Sequence, residues 1–126
     1  MRATAKGGAK LRAQRFGRRA EWLAALYMRM KGFRVVARDL RLPAGEIDLV
    51  LRKGRLLVLL EIKARAGGAL LEEAIGERQW RRIAAAAEQF CARRPAYAEL
   101  DRRFDALFLA RGRWPIHRPD AWRPAR

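Results

Sequence analysis

One stretch of the chain, residues 45–65, combines two apolar strand patterns with charges that core strands rarely contain. Its sequence is GEIDLVLRKGRLLVLLEIKAR, with Lys53-Gly54 at the place where a tight hairpin turn is expected. Asp48, Glu61 and Lys63 interrupt the two apolar runs. Burying such groups costs several kcal/mol unless they are fully paired or serve a chemical purpose. These three residues are therefore the first candidates for a functional site.

The position of the turn decides whether these charges meet. With a two-residue loop at Lys53-Gly54, Asp48 would lie opposite Leu59, and side chains would alternate between the faces of the sheet. Asp48, Glu61 and Lys63 would then share one face, with the two carboxylates as diagonal neighbours within about 7–8 Å. A three-residue loop would reverse the parity and separate them. The predicted cluster thus depends on the register of one hairpin.

Two carboxylates beside a lysine suit phosphodiester hydrolysis. Mg²⁺ and Mn²⁺ bind through one or two carboxylates and keep several waters, and the backbone carbonyl of Ile62 could complete the protein ligands from Asp48 and Glu61. Lys63 could orient an attacking water or stabilise charge developing on phosphorus. The alternative is a structural group of ion pairs on a sheet face. An isolated E-x-K favours that alternative, whereas Asp48 one hairpin earlier favours a site.

The composition and net charge of the chain indicate the kind of partner that it binds. The chain has 126 residues, enough for one domain with its own core, and a net charge of +16 with a pI near 11.6, which favours an anionic partner such as nucleic acid. Its single cysteine excludes an internal disulfide and a cysteine-based zinc site, and fits a reducing cytoplasm. The sequence shows neither a secretory h-region nor an apolar run long enough to span a membrane. We therefore expect a cytoplasmic protein without a membrane association.

The remaining pattern predicts helices on both sides of a sheet. Residues 1–15 form a predicted flexible basic arm, and residues 16–126 form a single domain. The expected elements, in order, are a helix over Phe16–Met30 ending at Gly32, a strand over Phe33–Arg38, a loop over Asp39–Ala44, the hairpin, a helix from about Leu71 to Ala92, a strand over Arg103–Ala110 and an edge strand over Trp114–Arg118. The first helix carries its apolar stripe on Phe16, Ala20, Leu23, Leu26, Tyr27 and Met30. Because a long helix separates the third and fourth strands, we expect a parallel crossover and a mixed sheet.

Both helices carry polar residues with two interpretations. Glu21 lies beside the apolar stripe of the first helix and is either a flank carboxylate paired with a neighbouring arginine or part of the site. Gln79 falls inside the apolar stripe of the second helix, where it needs a partner, so it satisfies backbone groups or reaches the carboxylates. Arg78, Arg81 and Arg82 are either phosphate contacts or a solvated basic face.

Several segments together resemble one protein family. They are GEIDLV (Gly45–Val50), LLEIKAR (Leu59–Arg65), a preceding helix with Gly17 and Glu21, RQWRRIAAAA (Arg78–Ala87) and RFDAL (Arg103–Leu107). This combination resembles the YraN family of small bacterial proteins, also called UPF0102. The resemblance covers the chain from about Phe16 to Trp122.

That family is similar in turn to the PD-(D/E)xK nuclease superfamily. The similarity implies an α/β fold with an αβββαβ restriction-endonuclease-like core, the core also of Holliday-junction resolvases. It makes Asp48 the motif aspartate and Glu61 and Lys63 the E-x-K pair, with Glu21 as the additional acidic position and Gln79 as a supporting residue. The chain differs from the family pattern at two positions, with Arg78 in place of the common Lys and Asp39 in place of the common Asn.

These observations predict a metal-dependent, endonuclease-like protein that acts on DNA, with branched or structured DNA among its substrates. The predicted catalytic and metal-binding set is Asp48, Glu61, Lys63, Glu21 and the Ile62 carbonyl, with Mg²⁺ or Mn²⁺ as the cofactor. The predicted DNA contacts are Arg65, Arg78, Gln79, Arg81 and Arg82. A homodimer is compatible with cutting two strands. The alternatives are a DNA-binding module that keeps the fold without turnover and a basic interaction protein.

Overall fold

The computed structural model describes residues 18–65 and 75–125 and contains one five-stranded sheet with helices on both faces. The predicted arm, residues 1–15, lies outside the described residues. The elements are α1 (18–30), β1 (Arg34–Leu42), β2 (Gly45–Lys53), β3 (Leu56–Arg65), α2 (Glu77–Ala92), α3 (Pro95–Ala98), β4 (Asp101–Ala110) and β5 (Ile116–Trp122). Helix α1 is followed by Gly32 at a φ of 94°, so the predicted glycine stop is confirmed.

The sheet is mixed, as predicted. The strands lie in the order β1-β2-β3-β4-β5, and β3 and β4 run parallel while the other neighbouring pairs run antiparallel. Helix α2 lies in the connection between the two parallel strands. The αβββαβ order is therefore confirmed, with α3 and the edge strand β5 added to it.

The turn between β2 and β3 lies one residue later than predicted. Lys53 pairs with Leu56, which leaves Gly54-Arg55 as the two-residue loop, and Val50 rather than Asp48 lies opposite Leu59. Gly54 adopts a φ of 60° at the first loop position, a conformation that glycine reaches without strain. Moving a two-residue loop by one position shifts the pairing by two residues, so the paired residues 49–53 and 56–60 keep their predicted faces. The pairing of β2 with β3 ends at Leu49–Leu60, one residue short of Asp48 on β2 and of Glu61 on β3.

Strand β1 is longer than the sequence indicated. The predicted loop over Asp39–Ala44 is wrong, because pairing with β2 continues to Leu42 opposite Gly45 and leaves only Pro43-Ala44 as the turn. Asp39 has a φ of 44°, which aspartate tolerates better than most residues. Pro43 suggested a loop over the whole segment, whereas Asp39 occupies an irregular position inside a strand.

Helix α2 starts later than predicted. Of the predicted first turns, residues 71–74 lie outside the described residues, and Ile75 and Gly76 are not helical. Gly76 is the N-cap, with an extended φ of −66° and ψ of 154°, and its carbonyl accepts the first helical hydrogen bond, from the Trp80 amide at 3.1 Å.

The edge strand is also displaced from its predicted place. Strand β5 covers Ile116–Trp122 rather than Trp114–Arg118 and contains Pro119, which an edge strand tolerates because one side needs no ladder hydrogen bonds. Trp122 packs down as predicted: it stacks on Trp80 with ring centroids 6.0 Å apart and meets Phe104 edge-on at 5.3 Å.

Each face of the sheet has its own core. On one face α2 buries its apolar side chains against β2, β3 and β4, and on the other face α1 buries Ala20, Ala24, Ala25 and Met28. The larger residues of the predicted α1 stripe behave differently, because Leu23, Leu26 and Met30 are exposed. No helix in residues 18–65 and 75–125 combines the length and apolarity that a membrane crossing requires.

One buried carboxylate, Asp105 on β4, organises the edge of the sheet. It is fully buried and accepts hydrogen bonds from Arg103 Nε at 2.8 Å, His117 Nε2 at 2.8 Å and the Asp120 amide at 2.9 Å. Burial by itself raises the pKa of Asp105, but these donors outweigh it and bring the pKa below its ordinary value of 3.8. The single histidine is therefore part of a structural network.

We expect Asp105→Asn to cost on the order of 3 kcal/mol of unfolding free energy at neutral pH, because Arg103 keeps its charge without its buried partner. The folded pKa lies below the unfolded one, so the carboxylate stabilises the fold above the unfolded pKa and loses this effect as pH falls through the folded pKa. Urea unfolding at neutral and acid pH measures both effects. The exposed Asp101 at the start of the same strand supplies the control, Asp101→Asn. Equal unfolding free energies for the two variants at neutral pH would contradict this role.

Candidate active site

The candidate site lies where the strands β2 and β3 stop pairing. Their ladder ends at Leu49–Leu60, although β3 continues to pair with β4 as far as Arg65. Beyond that point the amide of Ile62 donates to Asp48 Oδ2 at 2.8 Å. A carboxylate side chain thus takes the place of a backbone carbonyl, which fixes Asp48 in the gap between the strands.

A break in the strand alternation directs Asp48 into this gap. Ile47 packs in the core beneath α2 and Leu49 in the core beneath α1, although residues two positions apart in a regular strand share a face. The neighbouring strand is irregular at the same level, where Asp39, with its positive φ, lies between the partners of Ile47 and Leu49. Asp48 consequently lines two cavities, one on each side of the sheet.

Glu61 and Lys63 lie on the α2 face of the sheet, together with Gln79. Glu61 is buried, and the Gln79 Nε2 amide donates a short hydrogen bond to its Oε2 oxygen. Lys63 Nζ lies 3.8 Å from Glu61 Oε2 and donates to Gln79 Oε1 at 3.5 Å. Of the two interpretations of Gln79, the structure shows the contact with the carboxylates. The structure brings Asp48, Glu61 and Lys63 together, although the regular alternation that the prediction assumed is broken at Asp48.

The carboxyl groups of Asp48 and Glu61 both have raised pKa values. Burial raises the pKa of Glu61 to about 8, and the neighbouring charge of Asp48 adds to the effect. Burial also raises the pKa of Asp48, against the hydrogen bond from the Ile62 amide. The charge of Asp48 therefore disfavours the ionised form of Glu61, and the two groups titrate together. A bound cation would favour the ionised form of both carboxyl groups.

Glu21 approaches Asp48 from the opposite face. Together with Ala20 on α1, Asp48 and Ile62, it lines a cavity of about 120 Å³. Burial raises the pKa of Glu21, and repulsion from Asp39 adds to it. Within the described residues, no three Asp, Glu, His or Cys side chains lie close enough together to form a ready-made metal site. Glu21 is thus near Asp48 without joining Asp48 and Glu61 in one set of ligands.

Of the predicted DNA-contact residues, only some line the cavity that contains Asp48 and Glu61, which we call the cleft. Arg82 lines a cavity of about 260 Å³ together with Asp48, Glu61 and Gln79. Arg78 and Arg81 are exposed on α2, and Arg81 Nε bonds Glu77 at 3.1 Å, which occupies part of its guanidinium. Arg65 ends β3, and its contact with DNA stays a prediction.

Sequence reasoning missed two residues that shape the site. One is Asp39, whose positive φ accompanies the break at Asp48. The other is Gly45, where an added Cβ would lie 2.4 Å from the Arg82 backbone oxygen, so that only glycine lets β2 approach α2 this closely. The signal for Gly45 was its place at the start of the GEID motif.

Comparison with known proteins gives one consistent result. The model of the Uncharacterised protein family UPF0102 matches residues 20–109. A UPF0102 protein of Parvibaculum lavamentivorans is 52% identical over 125 residues, which cover 98% of this chain and 94% of that relative. A UPF0102 protein of Maricaulis maris is 45% identical over 116 residues, which cover 92% of this chain and 91% of the relative. Neither the family name nor the names of these relatives state an activity.

Proposed function

Because the chain belongs to the UPF0102 family, whose description states no activity, we propose from the geometry of the site that it is a metal-dependent nuclease-like protein that hydrolyses phosphodiester bonds in DNA. The observation that carries the proposal is the pair Asp48 and Glu61, held together in the gap between β2 and β3 with Lys63 and Gln79 beside them. Forcing two acids together is unfavourable in a folded protein unless a cation or a proton accompanies them.

The donor set fits a hard divalent cation. Asp48 and Glu61 would hold Mg²⁺ or Mn²⁺ with the Ile62 carbonyl, and Glu21 would supply or orient a further ligand from the α1 side. When bound, such an ion polarises a phosphate oxygen and lowers the pKa of a coordinated water. The fit has two supports: Glu61 is buried beside the half-buried Asp48, and burial together with the charge of Asp48 raises the pKa of Glu61 to about 8, as expected for two neighbouring acids.

The side chains around the acids have separate tasks in this proposal. The Lys63 ammonium, partly exposed beside Glu61, orients a water or stabilises charge on the scissile phosphate. Gln79 fixes Glu61 by donating to Oε2 and fixes Lys63 by accepting at Oε1. Gln79 is thus a positioning residue in the proposed reaction.

DNA would lie along the basic side of the cleft. Arg82 lines the cavity of the two acids, and Arg78 lies one turn earlier on α2. Arg65 and the basic residues 1–15 are further proposed phosphate contacts, and the net charge of +16 favours association with any polyanion. Affinity for DNA should therefore fall steeply with salt.

The experiment is cleavage of linear duplex, single-stranded, flap and four-way-junction DNA in Mg²⁺ or Mn²⁺. We expect the wild type to cut at least one substrate and Glu61→Ala, from the same preparation scheme, to lose at least about a hundredfold in rate, since it lacks a metal-binding acid. Glu99→Ala is the matched control, because it removes an exposed glutamate outside the cleft. Absence of cleavage by the wild type, or equal rates for Glu61→Ala and Glu99→Ala, would refute the enzymatic proposal.

One observation favours a second candidate, a DNA-binding module without turnover. The described residues provide only two acids in contact at the site, with Glu21 apart from them. Under this alternative, Asp48→Asn and Lys63→Ala leave DNA affinity unchanged, Mg²⁺ has no effect, and no substrate of the panel is cut. Binding titrations at two salt concentrations, run on the proteins of the cleavage experiment, separate the two candidates.

A further inference from the structure

Helix α1 presents large apolar side chains to the outside of the molecule. Leu23, Leu26 and Met30 are 47%, 43% and 77% exposed, whereas the same helix buries its small residues, including Ala20 and Ala24, against the sheet. The exposed residues recur at spacings of three and four, so they form one stripe along the helix. Single exposed apolar residues are ordinary, but a contiguous stripe marks an interaction surface.

A second wall makes this stripe a groove. The end of β4 and the segment after it contribute Leu109, Trp114 and Pro115, and Trp114 is 84% exposed. The space between the two walls, which we name the α1 groove, has a volume of about 440 Å³. A concave apolar surface of this size falls within the range of pockets that hold compact ligands or the side chains of a docked helix.

The charges around the α1 groove determine the kind of partner. Every charged side chain among its described lining residues is an arginine, namely Arg19, Arg111 and Arg113. A second copy placed groove to groove would bring these arginines together, in a chain that already carries a net charge of +16. A partner with carboxylates on either side of an apolar stripe would complement both the groove and its edge.

We propose that the α1 groove docks an amphipathic helix of another protein, with apolar residues at positions i, i+3 or i+4 and i+7 and with acidic residues on its flanks. The apolar side chains enter between α1 and Trp114, and the acids meet Arg19 and Arg111. This function is separate from hydrolysis, since none of the acids of the candidate active site lines the groove. The docked helix would nevertheless lie near that site, because Ala20 lines both the groove and the cavity of Glu21.

The test uses the full chain and a designed helical peptide with leucines at these positions and glutamates on the flanks. Control peptides have the same composition in scrambled order, or lysine in place of glutamate. Fluorescence anisotropy of the labelled peptide gives the affinity, and tryptophan emission should shift to the blue as Trp114 is covered. We expect Trp114→Ala and Leu26→Ser to weaken binding at least about tenfold, as removal of interface anchors does. Trp22→Ala is the matched control, an exposed tryptophan that does not line the groove.

Several outcomes would overturn the proposal. These are equal binding of the scrambled or lysine peptide, equal effects of Trp22→Ala and Trp114→Ala, and a dimer by light scattering that Leu26→Ser dissociates. Preferential binding of vesicles with anionic lipid, or of single-stranded oligonucleotides, through Trp114 would assign the groove to those ligands instead. Because the altered residues are exposed, the variants should keep the wild-type unfolding transition, and a variant that loses it is replaced by Leu23→Ser. Loss of DNA cleavage would leave this result unaffected, so the two proposals fail separately.

Discussion

Gly45→Ala is expected to destabilise the protein by about 3 kcal/mol, at the upper end for the insertion of one methyl group into a packed site. The added Cβ would lie 2.4 Å from the backbone oxygen of Arg82 and 2.9 Å from its carbonyl carbon. Backbone atoms of a helix cannot turn aside as the end of a flexible side chain can. The clash therefore has to be relieved by moving α2 away from β2.

That movement should also disturb the site, because Gln79 precedes Arg82 by one turn of α2 and bonds both Glu61 and Lys63. Urea unfolding measures the loss of stability, and binding of Mn²⁺ measured by calorimetry reports the geometry of the acids. Gly76→Ala is the control, since a Cβ there meets nothing within 4 Å and φ is already negative at −66°. Because Gly76 is the N-cap of α2, this control should lose at most about 1 kcal/mol. Identical unfolding of Gly45→Ala and wild type would show that α2 yields without cost.

The sequence predicted the meeting of Asp48, Glu61 and Lys63 although it misplaced the turn that brings them together. In a regular strand parity decides the face of a residue, and a two-residue loop at either position preserves the parity of the paired residues. Asp48 lies just beyond the pairing, where the alternation is broken. The register itself depends on which residues the loop takes, and Gly54 can occupy the first or the second position of such a loop. A correct face with an incorrect partner is thus the expected limit of hairpin reasoning.

The sequence pattern was less informative about α1. The helix and its glycine stop are confirmed, but periodicity cannot tell a stripe that faces the sheet from one that faces outward when alanines fill the neighbouring positions. The close approach to the sheet is made by Ala20, Ala24 and Ala25, while Leu23 and Leu26 are left exposed. Small residues permit close packing of a helix, and large apolar residues beside them are then free to serve a partner.

The positions of Asp39 and Gly45 could not be predicted for a different reason. Asp39 matters through its positive φ inside a strand, and Gly45 through its close approach to the backbone of α2, and neither feature leaves a local pattern. Aspartate in a strand looks like a loop residue, and a glycine at the start of a strand looks like part of a turn. Such long-range constraints require the folded structure.

Glu61→Gln is expected to stabilise the metal-free protein at pH 8 relative to the wild type. Burial and the charge of Asp48 raise the folded pKa of Glu61 to about 8, whereas the pKa in the unfolded chain is near its ordinary value of 4.5. Between these two values the folded state holds a proton that the unfolded state has lost. The contribution of Glu61 to the stability of the wild type is therefore highest below pH 4.5 and falls as pH rises toward 8. Glutamine keeps the size of the side chain and has no proton to lose, so this fall should disappear. The difference between the two proteins should reach a few kcal/mol at the alkaline end.

A divalent cation should reverse this order of stability. Mg²⁺ or Mn²⁺ held by Asp48 and Glu61 would displace the proton that Glu61 carries below its raised pKa, so its binding should release a proton and strengthen as pH rises. Added cation should therefore raise the melting temperature of the wild type at pH 8 and leave that of Glu61→Gln unchanged.

Thermal unfolding from pH 5 to 8, with and without Mn²⁺, measures both effects, and Glu99→Gln controls for the loss of one exposed negative charge. If the melting temperatures of wild type and Glu61→Gln depend equally on pH, the titrating group is not Glu61. If added cation raises both melting temperatures equally, Glu61 is not a ligand of the cation. Two acids that lower the stability of the metal-free fold, and raise it when a cation binds, behave as expected for residues selected for binding rather than for packing.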